Sequence, residues 1–245
     1  MGENTTDVPE RARDDQPSSA PLIVAVACAA GDRSAPTELV SALPEDCRAA
    51  LIFIQQPAAS RDSLLAEALA SRTRLRVTRA YDGLVAEHGN IYVVPLNVSP
   101  TMTGAVIHLT PAVIGRDDAA DTLFTSLAQE FGVSAIGVIL SGGGSDRALG
   151  IRAIREAGGT TFAQYPGSAR FPNLPISAID TGCVDFVLRP NEIAHELARI
   201  SRRVENAPRS SFKHTQITTH FRGGAARQYV TDDAKSAEQE RLCAS

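Results

Sequence analysis

The sequence predicts an α/β protein: a doubly wound, mostly parallel sheet with helices on both faces and an added β-hairpin. Three observations carry this expectation. Short apolar runs recur along the chain, among them Leu22 to Cys28 (LIVAVAC) and Ala50 to Ile54 (ALIFI), and continuous apolar runs mark parallel strands buried on both faces. Amphipathic stretches alternate with them, as in βαβ units. Finally, Ile136 to Leu140 breaks at Gly142-Gly143-Gly144 before a helical pattern resumes at Arg147. A buried strand that ends in glycines and restarts as a helix presents side chains at the carboxyl end of a parallel sheet.

Residues 1–20 are rich in Glu, Asp, Arg, Ser and Pro and cannot bury enough apolar surface to offset the entropy of ordering, so they are expected to be disordered. Residues 21–202 form the expected domain. Its first strand, 22–28, ends in a turn of small residues, Cys28-Ala29-Ala30-Gly31-Asp32. A helix follows over 35–42, with Pro36 in its first turn and Leu39, Val40 and Leu43 inward. The second strand, 50–54, runs into Gln55-Gln56-Pro57. Asp62 is placed to cap a helix over 63–71, with Leu64, Leu65 and Leu69 on one stripe.

Residues 75–78 alternate as a third strand. Ile91 to Pro95 and Ala105 to Leu109 flank a turn-rich linker, and Thr103-Gly104 before the second of them predicts a β-hairpin laid on the sheet. A helix over 118–131 faces inward with Leu123, Phe124, Leu127 and Phe131. The glycine-broken strand comes next, then a helix over 148–157 ended by Gly158-Gly159. A strand over 160–164, a short helix over 177–181, a strand over 184–188 and a helix over 190–202 close the domain. Residues 203–245 read as a polar tail, within which Ser211 to Phe221 has the β-branched and aromatic content to order on a partner.

The chain has 245 residues, 43% of them hydrophobic and only 5% aromatic, with no Trp, so its core rests on Ala, Val, Leu and Ile. A net charge of -4 gives no reason to expect nucleic acid as a partner. Cys28, Cys47, Cys183 and Cys243 are far apart and form no CxxC pair, which argues against a zinc site and a disulfide framework. Residues 1–20 do not form a signal peptide, and no apolar run approaches the roughly 20 residues of a membrane span. A cytoplasmic protein with reduced thiols, no membrane insertion and no cofactor is expected.

Candidate functional groups belong just beyond strand ends. Cys28 lies before an expected helix N-terminus, whose N–H groups would lower a thiol pKa and could hold an oxyanion. The commoner fate of a lone Cys there is a small buried hydrophobe. Gly142 to Gly144 lacks the GK[ST] of a phosphate loop and equally fits a tight turn. Asp146 sits where a functional carboxylate would, or simply caps the next helix. The five histidines, His88, His108, His195, His214 and His220, all fall away from Cys28 in this pattern, so none is placed as a general base.

From about Leu22 to Ile200 the chain resembles the catalytic domain of CheB-type chemotaxis receptor methylesterases, and the CheB portion of CheB–CheR fusions. The stretches that carry the resemblance are GVILSGGGSDRALGIRAIREAGGTTFAQYPGSARFPNLPISAIDTGCVDFVL, GNIYVVP, ADTLFTSLA and SLLAEAL. It implies a carboxylic ester hydrolase with a Ser–His–Asp triad on a doubly wound sheet, acting on glutamate methyl esters of chemoreceptors. The partner it implies is a methylated chemoreceptor or another signalling protein.

Carried over by motif, the implied catalytic positions are Cys28, Gln56 and Asp146. The implied oxyanion and turn positions are Ala29, Ala30, Gly31 and Gly143. Cys28 stands in the Ser position of a GxSxGG-type turn, in which Ala30 replaces a glycine. Gln56 stands where His follows a Gln. Asp146 is kept in a GMGxDG-type turn, but Gly143 replaces Met and Arg147 replaces a glycine. Gln cannot take and return a proton near neutral pH, so weak or absent esterase activity is expected. The regulated enzymes of the family carry an N-terminal receiver domain; residues 1–20 are too short for one, so phosphorelay control within this chain is not expected.

Overall fold

The computed structural model describes residues 21–29, 31–56, 64–113, 118–143 and 148–206. The expected N-terminal segment, Asp62, most of the expected tail with Ser211 to Phe221, and the turn carrying Asp146 and Arg147 lie outside them. In chain order the elements are β1 (Leu22–Ala29), α1 (Ser34–Ala42), β2 (Ala49–Gln56), α2 (Leu65–Ala70), β3 (Arg76–Arg79), β4 (Leu84–Val85), β5 (Asn90–Val93), β6 (Val98–Thr103), β7 (Val106–Pro111), α3 (Ala119–Phe131), β8 (Ile136–Ile139), α4 (Ala148–Glu156), β9 (Thr160–Gln164), α5 (Asn173–Asp180), β10 (Phe186–Leu188) and α6 (Pro190–Asn206).

Seven strands form one parallel sheet in the order β10-β9-β8-β1-β2-β5-β3. From β1 the chain builds outward through β2, then returns to the other side of β1 with β8. The order therefore reverses between β1 and β8, and an open α/β sheet offers its binding crevice at the carboxyl ends of the strands flanking such a reversal.

Side-chain alternation along β1 divides the core into two layers. Ile23, Ala25 and Ala27 pack with Leu123, Phe124 and Leu127 of α3 and Ile151 and Ile154 of α4. Leu22, Val24, Val26 and Cys28 pack on the other face with Leu39 and Val40 of α1 and Ile193 and Leu197 of α6. Every residue of β1 is buried, which is why its sequence is apolar without alternation. Helices α3 and α4 approach closely at Gly150: a Cβ there would lie 2.7 Å from Phe124 Cβ and 2.9 Å from Asp121 Oδ1. The same Asp121 oxygen accepts the Gly150 N–H at 2.8 Å.

The hairpin differs from its predicted arms. Ile91 to Val93 belongs to β5, inside the main sheet and buried, because a continuous apolar run suits a strand covered on both faces. The arms are β6 and β7, paired antiparallel from Val98↔Pro111 to Thr103↔Val106, and β4 joins them in a separate three-stranded sheet. Gly104, at φ 53°, supplies the left-handed turn conformation between the arms.

Other boundaries shift modestly. Helix α2 begins at Leu65; Leu65 and Leu69 are buried, but Leu64 is 55% exposed and outside the predicted stripe. Helix α5 starts at Asn173, earlier than 177, since Pro175 is tolerated in a first turn, where its missing N–H is not required. Helix α6 continues to Asn206. Among the described residues no helix is long and apolar enough to cross a membrane.

Candidate active site at the carboxyl ends of β1 and β8

The backbone ladder between β1 and β8 runs past the last paired strand residues. Leu140 N–H donates to Ala27 O at 2.8 Å, and Ala29 N–H donates to Ser141 O at 2.9 Å. This seals Cys28 into the sheet rather than lifting it into a turn. Cys28 is fully buried, and its Sγ lies 3.6 Å from Ile54 O, to which the thiol donates. Burial pushes the thiol pKa up to about 12, with the negative charge of Asp32 adding to the shift. Of the two readings that the sequence left open for Cys28, the surroundings match those of a buried, protonated thiol.

In the β1–β2 register Cys28 pairs with Gln55, which is buried, and Gln56 pairs with Ala29. The Ala29 N–H is committed to Ser141 O, so it does not point free at an oxyanion. Ala30 lies outside the described residues. Gly31 and Gly143 are exposed, and a Cβ at either would meet nothing within 4 Å. Asp146 also lies outside the described residues. The described histidines stand elsewhere: His88 Nδ1 is 3.0 Å from Arg48 O at the amino end of β2, His108 Nδ1 is 3.8 Å from Asp82, and His195 is exposed on α6. Among the described residues no group of His, Cys, Asp and Glu is placed to hold a metal ion.

Sequence reasoning missed four polar residues that do converge here. Asp32 is 1% exposed, and its Oδ1 accepts the Ser34 N–H at 2.9 Å and the Ser34 hydroxyl. Ser141 N–H donates to Gln164 Oε1 at 2.8 Å, and Ser141 Oγ accepts the Phe171 N–H at 3.0 Å. Gln164, itself 1% exposed, donates through Nε2 to Ser168 O at 3.1 Å. The guanidinium carbon of Arg170 stands 5.3 Å from the Phe171 ring centroid. The segment after β9 is thereby tied over the end of β8.

Burial alone would raise the Asp32 pKa. Hydrogen bonding from Ser141 and Ser34, and the charge of Arg170, outweigh it and leave the carboxyl below its ordinary value. The spacing Asp32-x-Ser34 after a strand end, typical of a side-chain-capped turn, is the one signal that would have singled out Asp32.

A doubly wound sheet with polar groups gathered at the β1/β8 reversal defines an α/β domain with a strand-end site. The CheB methylesterase family model matches residues 24–197, and the chain belongs to that family. It is 35% identical over 204 residues to a protein-glutamate methylesterase/protein-glutamine glutaminase of Anaeromyxobacter dehalogenans, covering 80% of this chain and 60% of that one. It is 32% identical over 194 residues to the protein-glutamate methylesterase FrzG of Myxococcus xanthus, covering 77% and 58%. The chain thus spans a little over half the length of these relatives. The fold is similar to that of the CheB methylesterase catalytic domain of Thermotoga maritima, with a TM-score of 0.66, 23% identity, and coverage of 74% of this chain and 99% of that one.

Proposed function

We propose that this chain is a CheB-type domain of chemotaxis-like signalling that engages glutamate methyl esters on a receptor-type protein and hydrolyses them weakly or not at all. The observation that carries this reading is the state of Cys28, buried and with its pKa at about 12. Ester hydrolysis by a triad needs a nucleophile whose proton passes to an imidazole as the carbonyl is attacked. At neutral pH a thiol of this kind stays protonated. A Gln at position 56 offers no general-base help, worth roughly 10²–10⁴-fold. The catalytic positions carried over by motif, Cys28, Gln56 and Asp146, then mark where the family's chemistry would sit. Complete loss of hydrolysis would leave a binding or regulatory domain in a signalling complex.

The test is methanol release from methyl-labelled receptor fragments, with fragment binding measured in parallel. The expected result is binding with release near the buffer rate, unchanged in Cys28→Ala. Release above buffer that disappears in Cys28→Ala would overturn the proposal.

A further inference from the structure

The segment between β9 and α5 presents side chains that ester hydrolysis does not use. Phe171 is locked to the end of β8: its N–H donates to Ser141 Oγ at 3.0 Å, and its carbonyl accepts the Gly142 N–H at 2.9 Å. Phe171 is nevertheless 37% exposed, Tyr165 at the end of β9 is 43% exposed, and Ile176 of α5 is 41% exposed. Helix α5 packs against the turn at 166–168, which joins these side chains into one surface. The Tyr165 ring lies against Gly167, where a Cβ would come within 2.6 Å of it. Single exposed apolar residues are ordinary, but a group of them on a fixed backbone beside a strand-end crevice marks a contact surface.

Arg170 gives this surface its charge. It is exposed, and its guanidinium carbon stands 5.3 Å from the Phe171 ring centroid. A guanidinium laid on a ring keeps N–H donors at its edge for a planar acceptor such as a carboxylate. Its charge also favours the ionised form of Asp32, but that carboxylate is buried and bonded by Ser34 and Ser141. The acids nearby are engaged as well: Asp121 accepts the Gly150 N–H at 2.8 Å, and Glu192 accepts the Arg189 N–H at 2.7 Å. Arg33, on the turn after β1, is a second exposed cation at this end of the sheet.

Main-chain groups along the surface are paired within the chain: Tyr165 N–H with Leu188 O, Ser168 N–H with Tyr165 O, and Leu174 N–H with Gly142 O. The surface therefore suits a partner whose own backbone bonds are internal, a helix rather than an added strand. We propose that Tyr165, Phe171 and Ile176 receive the apolar face of an acidic amphipathic helix of the partner protein, and that Arg170 pairs with a carboxylate on that helix. This rests on the reading above that the domain engages a protein bearing glutamate methyl esters. A methyl ester is neutral and offers Arg170 no charge. Arg170 reads unmodified glutamates one helical turn from the ester, so the surface favours sparsely methylated segments over fully methylated ones.

The probe is a synthetic amphipathic peptide with one glutamate γ-methyl ester. Three and four residues from it, on the same helical face, it carries glutamate, glutamine or further γ-methyl esters. Binding to the intact chain is measured by titration calorimetry at low salt. The glutamate peptide is expected to bind about 10-fold more tightly than the other two, and Arg170→Gln should abolish that preference while leaving the glutamine peptide within about 2-fold. Arg74→Gln changes the net charge equally but removes a cation paired with Glu45 ahead of β2 and β3, and should keep the preference. Ile176→Ala should weaken all three peptides alike. The comparison of peptides on the unmodified chain needs no variant to fold.

A glutamate preference that survives in Arg170→Gln would overturn the proposal. So would a preference lost equally in Arg74→Gln, which would report net charge alone, or binding indifferent to Ile176→Ala. Equal binding of the three peptides defeats this surface and leaves the proposed function standing. Binding of none of them, with methylated receptor fragments still bound, also defeats the surface alone. If the fragments fail to bind as well, the proposed function falls and the surface with it.

Discussion

The Asp32 carboxylate and the Cys28 thiol share the buried end of β1, and the charge on the first helps to hold the proton on the second. The thiol proposed to stand at the family's nucleophile position is therefore surrounded by the two influences that most oppose a thiolate, low polarity and a nearby anion.

This arrangement has a pH signature. The Cys28 pKa is raised from 9.0 to about 12 in the fold, so the folded state holds the proton more tightly than the unfolded chain. The resulting stability is fully present below pH 9 and is lost as pH rises from 9 toward 12. Urea unfolding at pH 8, 9 and 10 is expected to show declining stability above pH 9, by at most about 1.4 kcal/mol per pH unit from this group. The decline should be shallower in Cys28→Val; identical pH slopes would contradict the assignment.

Burial is the larger cause of that shift and Asp32 the smaller. Asp32→Asn should therefore lower the Cys28 pKa without bringing it to neutrality. Iodoacetamide labelling of folded protein, read by mass spectrometry, should show Cys28 reacting faster in the variant at pH 10 and remaining slow at pH 7. Fast labelling at pH 7 would show that Asp32, rather than burial, dominates.

Residue type at positions 28 and 56 can be separated from the burial of position 28. Because position 28 is fully buried, Cys28→Ser combined with Gln56→His is expected to release methanol from methylated fragments no faster than Cys28→Ser alone. Release about 10²-fold or more above the single variant would show that residue type, and not burial, is what blocks hydrolysis at the proposed triad positions.

Gln164 links the end of β8 to the segment after β9, through Ser141 N–H on one side and Ser168 O and Oγ on the other. Gln164→Leu leaves the buried Ser141 N–H unpaired and should cost about 1–3 kcal/mol. Hydrogen exchange at the Ser141 amide should quicken by more than exchange in α1. Unchanged protection at Ser141 would argue against the link.

Gly150 and Gly31 form a matched pair. Gly150→Ala forces a Cβ to 2.7 Å from Phe124 Cβ, so α3 and α4 must separate, at about 1–3 kcal/mol. Gly31→Ala meets nothing within 4 Å and should change stability by about 0.5 kcal/mol or less. Urea midpoints of the two variants provide the check.

Much of the fold was legible because its signals are local. Leu22 to Cys28 reads as a buried strand, Leu123, Phe124 and Leu127 as one face of a helix, and Gly158-Gly159 as its neighbour's stop. The hairpin was harder. Ile91 to Val93 and Val98 to Thr103 are both strand-like, and only sheet order tells which pairs with Val106 to Pro111. Helix α5 starts at Asn173, before the predicted 177, with Pro172 at its N-cap and Pro175 accepted in its first turn.

The site was less legible. Cys28 and Gln56 were proposed through motif order, yet no local pattern could say whether the sulfur would be exposed. By itself the sequence determined the alternation of strands and helices and the family. These follow from periodicity, turn residues and motif spacing along one stretch of chain at a time. Tertiary structure decided that Cys28 is sealed between β2 and β8, and that Asp32, Ser141 and Arg170 come together beyond the ends of β1 and β8. Those facts depend on which strand lies beside which, and burial and charge at a point are summed over segments distant in sequence.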